Sequence, residues 1–288
     1  MQYLTPDSFA DASRLAAAAD GTVRFLAGGT DVLVQLRADI VTPDVLIDIK
    51  NIDGVRTITR ASDGGWIIGA AATGAEMSEH DTFGGEWPGV LEAMDLIGST
   101  QIQGRATLVG NLCNGSPAAD SVPALIAAGA EVAITGPKGN RRAAVADIPT
   151  GPGRTSLAPG EVITETHIPA RGPQGGDAYL RFTPRTEMDI AVVGCAVNLT
   201  LDGDVIKTAR VALGAVAPTV VLVDNAAQAI IGTRLDADAM DALAAAASAA
   251  CDPINDKRGT IEFRVKVAGV LARRAAQIAY DRAKGAAS

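Results

Sequence analysis

Residues 108–130, LVGNLCNGSPAADSVPALIAAGA, constrain this chain more than any other stretch. A β-branched and apolar approach runs into Gly110-Asn111, and a polar turn follows at Asn114-Gly115-Ser116-Pro117. Asp120-Ser121 then precedes an apolar, helix-like run that opens at Val122-Pro123. Glycine lets a backbone come close to a ligand. Short polar side chains add donors and acceptors, and free N–H groups at a helix start favour anions. A strand–turn–helix junction calls for the same residues. The segment alone therefore leaves two readings, a structural turn or a loop that holds a phosphate-bearing cofactor.

A second segment weighs on that choice. Residues 25–36 read FLAGGTDVLVQL: a short apolar run (Phe25, Leu26, Ala27), a Gly28-Gly29 turn, then Thr30-Asp31 at the start of another apolar stretch. Thr30 or Asp31 stands where the N-cap of a helix beginning near Val32 belongs. A pyrophosphate can rest against the free N–H groups there. Neither segment is the G-x-G-x-x-G dinucleotide fingerprint, and no Walker lysine motif is present. Two glycine-rich anion loops in one chain favour the cofactor reading.

Composition closes other routes. Lys and Arg number 25 against 33 Asp and Glu, a net charge of −8 with no basic block, which argues against nucleic acid. Cys113, Cys195 and Cys251 stand far apart without C-x-x-C spacing, so neither an iron–sulfur cluster nor a zinc site is expected in this chain. His80, in the polar run SEHD, is expected to be solvated, and His167 to face outward from a strand; neither belongs to a triad or metal pattern. No apolar run is long enough for a membrane span. MQYLTPDSFADA lacks the basic region and apolar core of a secretory signal, so the cytoplasm is expected.

Along the chain, residues 7–19 read as an amphipathic helix and 22–26 as a short strand. DVLIDIK and GGWIIGAAAT follow as buried strands, and a helix starts at Pro88. EVAIT and EVITETHI are further strands, with PKGNRR as a hairpin or loop and residues 150–160 as a Gly- and Pro-rich excursion. ARGPQGGDA marks a domain boundary. Beyond it, IAVVGCAVNLTL and VIKTARVALGAV form long strands joined at Asp202-Gly203, a strong hairpin signal. Helices over about 225–231, 237–250 and 260–284 complete an α+β domain.

Together these segments resemble the FAD-binding medium subunit of the molybdenum hydroxylases, the family of xanthine dehydrogenase and aerobic carbon monoxide dehydrogenase. The resemblance runs in order through YLTPDSFADASRLAAA, FLAGGTDVLVQLR, IGSTQIQGRATLVGNLCNGSPAAD, LAPGEVITETHIP, RFTPRTEMDIAVVG and IEFRVKVAGVLARRA, nearly the whole chain. It implies an α+β fold: a two-lobed FAD-binding domain of the PCMH (vanillyl-alcohol-oxidase-like) type over residues 1–172, with lobes of about 1–55 and 56–172. A small C-terminal domain of the carbon monoxide dehydrogenase flavoprotein type, an antiparallel sheet with helices, follows over 177–288.

The resemblance also implies a site. Phe25, Leu26, Ala27, Gly28, Gly29, Thr30, Asp31 and Val32 correspond to the first pyrophosphate segment. Thr107, Gly110 and Asn111 correspond to the second. Ser116 and Asp120 match its polar end, where Asp120 supports the loop or the ribityl chain. Ile97 and Ile163 fall at apolar contacts to the adenine or flavin portions. Arg181 stands where a basic residue often approaches the flavin, or else belongs to a strand surface or subunit interface. Asp189 and Ile190 match the segment that runs past the isoalloxazine ring. Some relatives carry an aromatic residue at Ile97 or at Ile190; an aliphatic one excludes water but cannot stack. Cys113 reads as a small buried hydrophobe, with a covalent cysteinyl-flavin as the less favoured alternative.

The implied function is that of an electron-transfer subunit. A large partner subunit carries the molybdopterin cofactor and hydroxylates the substrate, a small one carries two 2Fe-2S clusters, and FAD in this chain passes electrons to NAD⁺, oxygen or a quinone. The expected assembly is a dimer of heterotrimers. The competing readings are a stand-alone FAD oxidase of a small alcohol or sugar and a flavin-free scaffold.

Overall fold

Ser8, Thr73, Thr107, Asp236 and Thr260 each accept, through the side chain, the backbone N–H three residues on. Each occupies the N-cap of a helix whose first turn would otherwise leave that donor unpaired. At Thr73 the cap is reciprocal: Glu76 returns a bond to the Thr73 N–H, a capping box. These local choices fix helix starts in a chain built largely of small side chains.

The computed structural model describes residues 1–285. Its first lobe is a three-stranded parallel sheet in which Val45–Asp48 lies between Gln2–Leu4 and Val23–Leu26. Val45–Asp48 is buried throughout, as its continuous apolar run foretells, and the Phe9–Ala18 helix makes the crossover. The second lobe is a five-stranded antiparallel sheet in the order Ile58–Arg60, Trp66–Gly69, Val162–Ile168, Glu131–Gly136, Gly139–Ala144. Helices between residues 74 and 128 cover it, and the two lobes share one hydrophobic cluster that includes Ile47, Trp66, Met94, Leu108 and Leu125.

The last part of the chain forms a four-stranded antiparallel sheet, Gly175–Phe182, Val193–Asp202, Val205–Gly214 and Val221–Leu222. The Asp202-Gly203 hairpin turns with Gly203 at φ +62°. Helices Asp224–Ile230, Ala237–Ala249 and Ile261–Ala283 pack over this sheet, with a second cluster around Val197, Leu213, Leu243 and Ala275 between them. The last three residues of the expected C-terminal domain, 286–288, lie outside the described residues.

Several local expectations need correction. The approach to Gly110-Asn111 is not extended: Leu108–Cys113 is a helix capped by Thr107. His167 does not face outward. It is 9% exposed, because Val162–Ile168 is the central strand of its sheet, and its Nε2 lies 3.1 Å from Asp63 Oδ2. His80 is half-buried rather than solvated, its ring edge-on to Trp66 at 5.0 Å. The Gly175–Phe182 strand begins inside the stretch read as a domain boundary.

Candidate cofactor site

The Val23–Leu26 strand ends just before Gly28-Gly29, where there is no room for side chains. A Cβ on Gly28 would lie 1.8 Å from the Arg105 carbonyl oxygen; Gly29 has φ +81°, with Leu26 and Leu33 beside it. Arg105 Nε donates to the Gly28 carbonyl at 2.9 Å, which stitches the first loop to the approach of the second. Among the described residues, no backbone acceptor takes the N–H groups of residues 28–32. A row of unpaired amides in a glycine turn is the donor set that a pyrophosphate calls for.

The second loop is built on the Leu108–Cys113 helix. Thr107 Oγ1 accepts the Gly110 N–H at 2.9 Å, and a Cβ on Gly110 would come within 2.8 Å of that oxygen. Asn111 Oδ1 accepts both the Ser121 N–H, at 3.2 Å, and its hydroxyl, at 2.7 Å. Gln35 Nε2 donates to Asn114 Oδ1 at 3.0 Å and joins the two loops directly.

Between the loops lies a cleft of about 450 Å³. Phe25, Ala27, Gly28, Gly29, Thr30, Asp31, Val32, Ile97, Thr107, Gly110, Asn111 and Ile163 all line it. Leu26 does not; it is 5% exposed and packs behind Gly29. Ser116 stands off the lining and accepts the Ala118 N–H at 3.2 Å. Asp120 and Arg181 also stand off it, paired with each other at 2.8 Å. Asp189 accepts its neighbour's N–H, that of Ile190, at 2.8 Å and Arg258 Nε at 3.2 Å, while Ile190 is 52% exposed. The Met188 N–H donates to the Gly98 carbonyl at 3.3 Å, which brings their segment beside cleft-lining Ile97.

Sequence reasoning missed part of this site. Val23, Val41, Val109, Leu157 and Val162 complete an apolar wall, and Arg24, Gln35, Asn114 and Glu161 supply further polar lining. Gln35, Val109, Asn114, Leu157, Glu161 and Val162 lay inside the quoted segments without being singled out, whereas Val23, Arg24 and Val41 come from stretches that carry no motif. Cys113 is no buried hydrophobe but an exposed side chain on the cleft. Asp31, at the cleft, has its carboxyl raised by surrounding protein. Glu161 is held below the usual carboxylate range by Arg141. Burial pushes the Asp120 carboxyl up to about 6, with Arg181 and the Tyr179 hydroxyl opposing that rise.

The model of the FAD binding domain in molybdopterin dehydrogenase matches residues 1–171, and that of the CO dehydrogenase flavoprotein C-terminal domain matches 178–279. The carbon monoxide dehydrogenase medium chain of Afipia carboxidovorans is 35% identical over 98% of this chain and 97% of its own length. The chain belongs to the FAD-binding medium subunits of the molybdenum hydroxylase family. A second relative of this family, the putative xanthine dehydrogenase FAD-binding subunit of Escherichia coli, is 32% identical over 84% of this chain and 83% of its own length. Among solved structures, CO dehydrogenase from Oligotropha carboxidovorans superposes with a TM-score of 0.94 at 33% identity, covering 98% of both chains. Quinoline 2-oxidoreductase from Pseudomonas putida 86 superposes with a TM-score of 0.89 at 25% identity, over 99% of this chain and 98% of that one. The molybdenum hydroxylase medium-subunit fold therefore spans almost the whole chain, both glycine loops included.

Proposed function

We infer that the cleft between residues 25–32 and 107–111 holds FAD, and that this chain is the flavin-carrying electron-transfer subunit of a multi-subunit molybdenum hydroxylase. The observation that carries the reading is the row of unpaired amides at residues 28–32 facing a second glycine loop across one cleft. The donor set and the apolar wall fit a dinucleotide with an anionic middle and flat, apolar ends.

The residues divide the work. Gly28 and Gly29 let the backbone approach the pyrophosphate, and the amides of Thr30, Asp31 and Val32 donate to it. Thr107 fixes the turn that presents Gly110 and Asn111 from the opposite side. Ile97, Val109 and Ile163 exclude water from the rings. Asp189 and Ile190 border the ring end, and Ile190, being half-exposed, leaves that end open to a partner or an acceptor. FAD, when bound, supplies the exchange of electrons between one-electron clusters and a terminal acceptor, and the protein orients and tunes it. Both histidines stand off the cleft lining, which suits a relay that abstracts no substrate proton.

We assign residues 1–172 to FAD binding and 177–288 to the C-terminal domain, on the match of the two family models. A large molybdopterin subunit and a small subunit with two 2Fe-2S clusters complete the enzyme, and the complete assembly is a dimer of heterotrimers. No helix among the described residues is long and apolar enough to cross a membrane, in keeping with a cytoplasmic complex. The test is rapid mixing of the purified chain, and of the assembled complex, with candidate hydroxylation substrates. The flavin band should bleach only in the complex. Bleaching of the isolated chain by a simple alcohol would identify an oxidase instead.

A further inference from the structure

The Ser121–Ala128 helix is buried along its full length, and the C-terminal sheet grips it at both ends. At its start, Asp120 Oδ1 accepts the Tyr179 hydroxyl at 2.9 Å and Oδ2 accepts Arg181 Nη1 at 2.8 Å. At its close, the Ile126 carbonyl accepts Arg210 Nε and Nη2 at 3.1 and 3.0 Å, and the Ala127 carbonyl accepts Asn198 Nδ2 at 3.1 Å. A cation at the carbonyl end of a helix is the favourable arrangement.

Tyr179 and Arg181 are two residues apart on the Gly175–Phe182 strand, so they project from the same face. The Arg181 side chain is only 4% exposed. The Nη1 that meets Asp120 also donates to the Leu96 carbonyl at 2.8 Å. Leu96 is covalently followed by Ile97; Asp120 is followed by Ser121, which holds Asn111 by two hydrogen bonds. Ile97 and Asn111 both line the cleft, while Tyr179 and Arg181 do not. A single guanidinium thus ties together two separate walls of the cleft from behind.

We propose that Tyr179 and Arg181 are positioning residues for the flavin: from the C-terminal domain they fix Asp120 and Leu96, and through them the places of Asn111 and Ile97. The proposal rests on the reading of the cleft as the FAD site. It gives the C-terminal domain a part in cofactor retention beyond the Asp189–Ile190 segment at the ring end, although none of its described residues is among those that line the cleft.

The test uses the full chain stripped of flavin, titrated with FAD by fluorescence quenching. Visible circular dichroism of the bound flavin and the melting temperature of the flavin-free chain are read in parallel. Tyr179→Phe removes one hydroxyl and keeps the ring, so the fold survives; FAD should bind several-fold more weakly. Arg181→Met leaves Asp120 buried without its cation, and affinity should fall by about tenfold or more, with an altered flavin dichroism. Arg181→Lys should recover part of that loss. Tyr179→Phe combined with Arg181→Met should lose less than the sum of the two, because both act on one carboxylate. Wild-type affinity and dichroism in Tyr179→Phe and Arg181→Met would overturn the proposal, as would a lower melting temperature with unchanged affinity. Failure of the wild-type chain to bind FAD would instead overturn the cofactor reading beneath it.

Discussion

Gly28 and Gly110 are the positions where one added carbon meets the tightest resistance in the two loops. At Gly28 the obstacle is the Arg105 carbonyl, part of a backbone that cannot swing aside; at Gly110 it is the Thr107 hydroxyl that caps the helix. Gly28→Ala is expected to cost about 1–3 kcal/mol of stability by overpacking and to empty the site of flavin. Gly110→Val should abolish flavin retention while the C-terminal domain stays folded, read from flavin absorbance per chain and far-ultraviolet dichroism. A Gly110→Val protein with full flavin content would displace the second loop from the site. Asp120 yields a pH prediction. Its carboxyl is raised to about 6, so the folded chain binds its proton more tightly than the unfolded chain does. The stability this group contributes is present below about pH 4 and is lost as pH rises through about 6, roughly 2–3 kcal/mol in all. Thermal midpoints measured across that window should show the trend in the wild type, and Asp120→Asn should remove it. The glycines were readable in the sequence because their need is local. Tyr179 was not, because its role exists only once a strand of the last domain lies against Asp120.

The elements show the same division. Val45–Asp48, Val193–Asp202 and Val205–Gly214 are apolar enough, and well enough punctuated by turns, to be read directly from the chain. The Leu108–Cys113 helix was not, since LVGNLC carries a β-branched valine, a glycine and an asparagine, all weak helix formers. The Thr107 cap and packing against the Ser121–Ala128 helix offset that weakness. Thr107→Ala should therefore cost about 1 kcal/mol, typical of a lost N-cap, and weaken FAD binding along with it. Calorimetry and flavin titration on the same samples check both effects; a drop in stability without any change in affinity would separate the cap from the site. His167 illustrates the opposite error. Alternation in VITETHI suggested a solvated face, but a strand in the middle of a five-stranded sheet covered by helices has little solvent to face.

At the scale of the whole molecule, the cleft is composite. One wall comes from the first lobe, one from the second, and the brace behind them from the C-terminal sheet. Resemblance along the whole chain pointed to the two glycine loops, but the cleft's apolar wall is assembled from Val23, Val41, Leu157 and Val162, which only the fold brings together. The most direct test is the absorbance spectrum of the purified chain, followed by acid release and identification of the chromophore. Oxidised-flavin bands, with FAD released at close to one per chain and lost in Gly28→Ala, are the predicted result. A colourless chain that takes up no added FAD would contradict the account.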